Sequence, residues 1–273
     1  MPPSPSSSAC RRSVAGEFLP AAEGPQVLQA ETANKTTDKS QTRAIVTRPP
    51  GQHVSSKFIR REAARAADDE KHAGIIAERF AVLRTRVLRE MRKNEWQRLA
   101  VVPVSKGAGG TFVAVNLAVA MARQKHTEVM LVDLDLGDPG IAGQLGIRGA
   151  DPITEVLRQN RPLGDLVSIV EEAPNLSVLA PEAPEMDAAE ILQDSAFADA
   201  LKVLGGNYSA AIEVLDVAPL LDGDRALAAL PLADAILLVA DGRRGTAANM
   251  AEATRLLRDM PPIMGVVLNQ SDD

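Results

Sequence analysis

Hydrophobic positions divide the chain into two regimes. From residue 1 to about 70 the sequence is rich in Ser, Pro, Thr, Ala and mixed charge, with no sustained apolar period. Such a segment cannot bury enough apolar surface to offset the entropy of ordering, so a disordered tail or linker is expected over 1–70. From Ala73 a helical period sets in. Ile75, Ile76, Phe80, Leu83, Val87 and Leu88 recur at three- and four-residue spacing, with arginines on the remaining faces. Strand-length apolar runs then alternate with helical segments. Strands are expected near 99–104, 129–134, 176–180, 211–216, 235–240 and 263–268, and helices near 111–123, 152–159, 187–204, 223–230 and 246–258. That alternation predicts an α/β domain over 71–273, with a mostly parallel sheet and crossover helices. The last three strands are near-continuous apolar runs, the pattern of strands buried on both faces. Gly205-Gly206 is expected to end one helix and Pro261-Pro262 another.

Composition narrows the class. With 273 residues, 45% of them hydrophobic, the chain can bury a sizeable core. A net charge of −6 with no outstanding basic face argues against nucleic acid as the main partner. The single cysteine, Cys10, allows no intramolecular disulfide and fits a reducing cytoplasm. No apolar run approaches the roughly 20 residues that span a bilayer. The opening MPPSPSSSACRRS lacks the apolar core of a signal peptide.

The turn after the first core strand carries the chemistry. Leu99–Ala118 (LAVVPVSKGAGGTFVAVNLA) has the layout of a P-loop: apolar strand, glycine-rich turn, helix. Gly107, Gly109 and Gly110 permit backbone conformations that let main-chain N–H groups close on an anion, and the helix from Thr111 adds its N-terminal amides. The candidate nucleotide-binding residues are therefore Lys106, Gly107, Ala108, Gly109, Gly110, Thr111 and Phe112. Thr111 has the hydroxyl that usually ligates Mg²⁺. Counting back from it, the slot of the P-loop lysine holds Gly110. Losing one preorganised electrostatic donor to the transferred phosphate costs roughly 3–4 kcal/mol, or about 10²–10³ in rate. Lys106, four residues earlier, is the cation that could reach in from the other end of the loop. Taken alone, such a turn also serves as an ordinary βα connection.

Two strand ends add weight. The run 129–134 leads into Asp133-Leu134-Asp135-Leu136-Gly137-Asp138-Pro139, and 211–215 into Asp216-Val217-Ala218-Pro219. Carboxylates at the C-terminal ends of parallel strands face the crevice where open α/β sheets bind ligands. Beside a glycine loop they suit a hydrated Mg²⁺. Each Asp could equally be a helix N-cap; the ordered set is the signal.

Over about Ala77–Gln270 the chain resembles the cytoplasmic bacterial tyrosine kinases of capsule and exopolysaccharide synthesis (CpsD/CapB type, the kinase half of Wzc-like proteins), which group with MinD/ParA-like P-loop ATPases of the SIMIBI class. The resemblance rests on Glu78–Thr85, AVNLAVAMA, VMLVDLDLGDP, DVAPLLDGDRAL, DAILLVADGRRGT and GVVLNQ. It implies Asp133 and Asp135 as catalytic and metal-shell carboxylates, and Asp216 as the Walker B acid. Thr111 becomes the direct Mg²⁺ ligand, with Asp133 and Asp216 in the metal site, and Asn269 lies near the adenine. ATP or ADP with Mg²⁺ are the implied cofactors. A membrane polysaccharide co-polymerase (a Wzc-like transmembrane adaptor) is the implied partner, at the inner face of the plasma membrane, with homo-oligomers a further expectation.

The departures bear on activity. Gly110 replaces the lysine, Gly137 stands where the family usually has arginine, and Ala81 replaces an arginine of the assembly helix. The family's C-terminal tyrosine cluster has no counterpart in Asn269–Asp273, and the single tyrosine, Tyr208, reads as structural. A weakly active or inactive kinase-like protein is expected. The alternatives are an active autokinase using Lys106 or a neighbouring subunit, and a MinD/ParA-like positioning ATPase.

Overall fold

A computed structural model describes residues 52–56, 72–148, 150–208 and 212–271, all within one compact unit, Ile45–Asp273. Its centre is an eight-stranded sheet: β1 (Gln52–Val54), β2 (Arg98–Pro103), β3 (Val129–Asp133), β4 (Val167–Val170), β5 (Leu176–Leu179), β6 (Ile212–Asp216), β7 (Ala235–Asp241) and β8 (Ile263–Asn269). The spatial order is β1-β4-β5-β3-β6-β2-β7-β8. Every pairing is parallel except β4 with β5.

Helices cover both faces. On one side lie α1 (His72–Asn94), α2 (Gly110–Ala122) and the short α3 (Ile141–Leu145). On the other lie α4 (Ile153–Arg158), α5 (Ala188–Gln193), α6 (Ser195–Asn207), α7 (Arg225–Ala229) and α8 (Ala247–Leu256). The P-loop helix α2 is apolar nearly all round because it is sandwiched: the sheet lies beneath it and α1 above. The amphipathic stripe of α1 meets it through Val87, Leu88 and Met91, all buried, and through Phe80, whose ring stands edge-on to Phe112 at 5.9 Å. Arg84 of α1 donates to the carbonyl of Ala120 at 3.2 Å, tying the end of α2 to its cover.

The parallel α/β architecture expected from the pattern is present, and all six expected strands form within a residue or two. Four details differ. The tail expected over 1–70 overlaps the sheet, since Gln52–Val54 pairs with β4, and Ser55 and Ser56 donate to Glu172 at 2.6 and 2.9 Å. Three residues of mixed polarity give no periodic signal; residues 1–51 and 57–70 lie outside the described residues. The helix expected over 187–204 is two helices, because Asp194 takes an extended conformation and its side chain caps Ala196 at 2.9 Å. Gly205 and Gly206 do not end α6 but lie inside it, and Gly205 lets the helix pass close against the Glu213 carboxylate. Finally, β8 is not buried on both faces. It is the sheet edge, with Val266 and Leu268 exposed, a position that apolar content alone cannot reveal. No helix among the described residues is long and apolar enough to cross a membrane.

Candidate nucleotide site

Strand order assembles the site. The C-terminal ends of β3, β6 and β2 lie side by side, and in-register pairing places Asp133 directly beside Asp216. The loop leaving β2 then curls over them. Gly107 and Gly109 adopt left-handed φ values of 83° and 86°, which side-chain-bearing residues rarely hold. Gly109 occupies the N-cap of α2, so the first amides of that helix face the cavity end of the loop. Two amide side chains at the end of β8 fasten the loop from above. Asn269 Nδ2 donates to the Ala108 carbonyl at 2.8 Å and Gln270 Nε2 to that of Gly107 at 2.7 Å.

A cavity of about 320 Å³ opens in front of the loop, lined among others by Lys106, Gly107, Gly109, Gly110, Thr111 and Asp135. Asp133 and Asp216 lie beneath it, both buried. Ala108 is buried within the loop and the Phe112 ring turns away toward α1, so neither of these two expected binding residues lines the cavity. The Asn269 side chain, expected beside an adenine, is engaged on the loop carbonyl.

The carboxylates differ in their surroundings. Asp133 accepts from the amides of Gly140 (3.0 Å), Ile141 (2.9 Å) and Asp135 (3.2 Å), which anchors the start of α3. Burial nevertheless pushes its carboxyl up to about 7, the amides opposing and the Asp135 charge adding to the shift. Among the described residues no group meets full hydrogen-bond geometry with either buried oxygen of Asp216, although the Thr111 hydroxyl lies close beside them. Burial first, then the neighbouring Asp133 charge, raises it well above the ordinary carboxylate range, with the Thr111 hydroxyl the moderating group. Burial also raises Asp135, against the pull of the Arg225 guanidinium.

An orphaned, fully buried carboxylate beside a second one, under a threonine hydroxyl, is a donor set that fits a hard divalent cation. Among the described residues no cluster of three or more acidic, His or Cys side chains forms a closed metal cage. Mg²⁺ needs none, since it is commonly held through one or two carboxylates, waters and phosphate oxygens.

Three features were not read from the sequence. The lysine slot is closed: a Cβ at Gly110 would lie 2.7 Å from Cδ and Cγ of Pro103. The slot at Gly137 is filled instead by the Arg225 guanidinium, which pairs with Asp135 at 3.1 Å. On the far side of the loop Arg244, held by Asp241 at 2.9 Å, closes over Gly107. Lys106 does reach the cavity, but at its rim, in an exposed pair with Asp138 at 3.3 Å.

The same fold recurs in solved structures. The VpsO kinase domain superposes with a TM-score of 0.64 at 26% identity, over 75% of this chain and 98% of that domain. The kinase domain of the Escherichia coli tyrosine kinase Etk matches with a TM-score of 0.64 at 22% identity, over 71% of this chain and 75% of that one. Among the solved neighbours are kinase domains, and those of Etk and BceF are tyrosine kinases by name. They are the family that the motifs resemble. A likeness in fold extends to MinD from Pyrococcus horikoshii, solved with Mg-ADP, with a TM-score of 0.52 at 22% identity over 64% of this chain and 72% of that one. No protein-family model and no curated protein matches the chain in sequence.

Proposed function

We propose that this chain is a tyrosine-kinase-like P-loop component of exopolysaccharide synthesis that binds ATP or ADP with Mg²⁺ and turns it over weakly or not at all. The observation that carries the reading is the closed lysine slot, where Pro103 occupies the volume a side chain at 110 would need. The loop glycines and the first amides of α2 supply the backbone cradle. Thr111, Asp133 and Asp216 are the residues that would hold Mg²⁺, which when bound neutralises charge on the phosphate oxygens. Asp135, half-buried at the cavity wall, is the candidate catalytic carboxylate. Without the lysine, the loop itself supplies no fixed charge to the terminal phosphate.

In this reading such a protein works at the inner face of the plasma membrane, beside a membrane polysaccharide co-polymerase, with the α1 helix available for contacts between copies; the resemblance supports it. An active autokinase is the second reading, favoured by the retained carboxylates and by Lys106 at the cavity rim. Purified full-length protein at millimolar Mg·ATP separates the two. The first reading expects nucleotide binding by calorimetry with no ADP release above a D135A control. Robust ADP release or phosphotyrosine would establish the second.

A further inference from the structure

One cation in the cavity has no role in the motifs described above. Arg225 opens α7, just beyond the Asp222-Gly223-Asp224 turn that follows β6, and its side chain reaches back to Asp135, Nη1 to Oδ1 at 3.1 Å. The reach depends on residue 137 being glycine, because a Cβ there would run into the guanidinium. The pair is sheltered, with side chains 30% and 14% exposed, whereas Lys106 and Asp138 are 75% and 68% exposed. A charge in the sheltered position acts through a lower effective dielectric and is less screened by salt.

The cavity needs such a cation. Its wall carries Asp135, Asp138 and Asp222 against Lys106 and Arg225, and the slot of the usual loop lysine is closed. A polyphosphate entering that field meets repulsion unless positive charge is fixed where it docks. Arg225 and Asp135 stand on the β3 and β6 side of the cavity, across from the glycine loop that leaves β2. With the loop cradling the inner phosphates, that side is where a terminal phosphate projects.

We propose that Arg225 is the phosphate-binding cation of this site, replacing the loop lysine and engaging the terminal phosphate of a nucleoside triphosphate. Asp135 holds the guanidinium in the free protein. An arginine has five N–H donors, and among the described residues its hydrogen bond to Asp135 uses one, so a phosphate oxygen can be bound without breaking that bond. The inference rests on the nucleotide-binding reading above, and deepens it by making the site selective for triphosphate over diphosphate.

The test is calorimetry on the full chain with Mg·ADP and with the Mg complex of a non-hydrolysable ATP analogue, for wild type, R225Q and R225K. Loss of a charge-assisted contact to the terminal phosphate is expected to weaken the analogue about tenfold or more in R225Q and Mg·ADP by no more than about twofold. R225K, which keeps the charge without the planar fork, is expected to fall between, its loss again confined to the analogue. It carries the comparison should R225Q fail to fold. Equal losses for both ligands, or none, overturn the role of Arg225 and leave nucleotide binding standing. Wild type that binds neither ligand overturns both.

Discussion

A Cβ placed on Gly110 would sit 2.7 Å from Cδ and Cγ of Pro103 and 3.2 Å from its Cβ. The missing lysine is therefore not a vacancy. Pro103 ends β2 and is buried, so its ring and the bare backbone at 110 are packed as one unit. Restoring the lysine alone inserts side-chain atoms into a filled space.

The first prediction follows directly. G110K is expected to lose about 1–3 kcal/mol of stability through overpacking, read as a lower melting temperature. P103A/G110K removes the obstructing ring and is expected to recover most of that loss. Tighter Mg·ATP binding should appear in the double variant and not in G110K. Full stability in G110K would show that the loop yields where the packing says it cannot.

Much of this architecture was legible because it rests on period and order. Apolar runs at β2, β3, β6 and β7 are long, and their flanking glycines and carboxylates fall where parallel α/β crossovers require. What escaped is set by tertiary neighbours. Gln52–Val54 becomes a strand only because β4 offers it an edge. Val266 and Leu268 are exposed because β8 is the edge among the described strands, where their face of the sheet is left uncovered. In the site, Gly110 and Gly137 were legible as gaps, but the residues that fill them, Pro103 and Arg225, are 7 and 88 positions away in the chain. No local spacing links those pairs; only the fold does.

A second prediction concerns Glu213, buried in β6 and paired with Arg98 at 3.0 Å. Burial raises its carboxyl and the Arg98 charge opposes that shift. R98A leaves the carboxylate sheltered and unpaired, so denaturant unfolding should show a loss of about 3 kcal/mol. R98M/E213M removes both charges and should cost far less. A single-variant loss below about 1 kcal/mol would mean that water reaches Glu213 once Arg98 is gone.

A third prediction is the pH dependence of the ligand-free fold. Asp133 is raised from 3.8 to about 7, so the folded state keeps a proton that the unfolded chain gives up. The stability this contributes is complete below about pH 4 and is lost as pH rises through about 7. Melting of wild type and D133N in chelator between pH 4 and 9 isolates the effect. Wild type minus D133N should fall across that window and level off above it. A flat difference would mean that the Gly140, Ile141 and Asp135 amides hold Asp133 ionised throughout.

The last prediction turns on Asn269. Its Nδ2 donates to the Ala108 carbonyl at 2.8 Å, and a Cβ on Gly109 would run into the same amide. The side chain thus lies on the loop and joins the end of β8 to it. If fastening the loop is its work, N269A costs about 1 kcal/mol and speeds amide exchange at Gly109 and Gly110. It then weakens Mg·ATP and Mg·GTP by the same factor, because both depend equally on the loop backbone. If Asn269 leaves the carbonyl to read the adenine edge, the loss is confined to ATP and the two nucleotides converge in affinity. Calorimetry with both nucleotides, beside exchange on the free protein, separates these roles. The 2.8 Å bond favours the first, since a side chain already engaged must give up that partner to recognise a base.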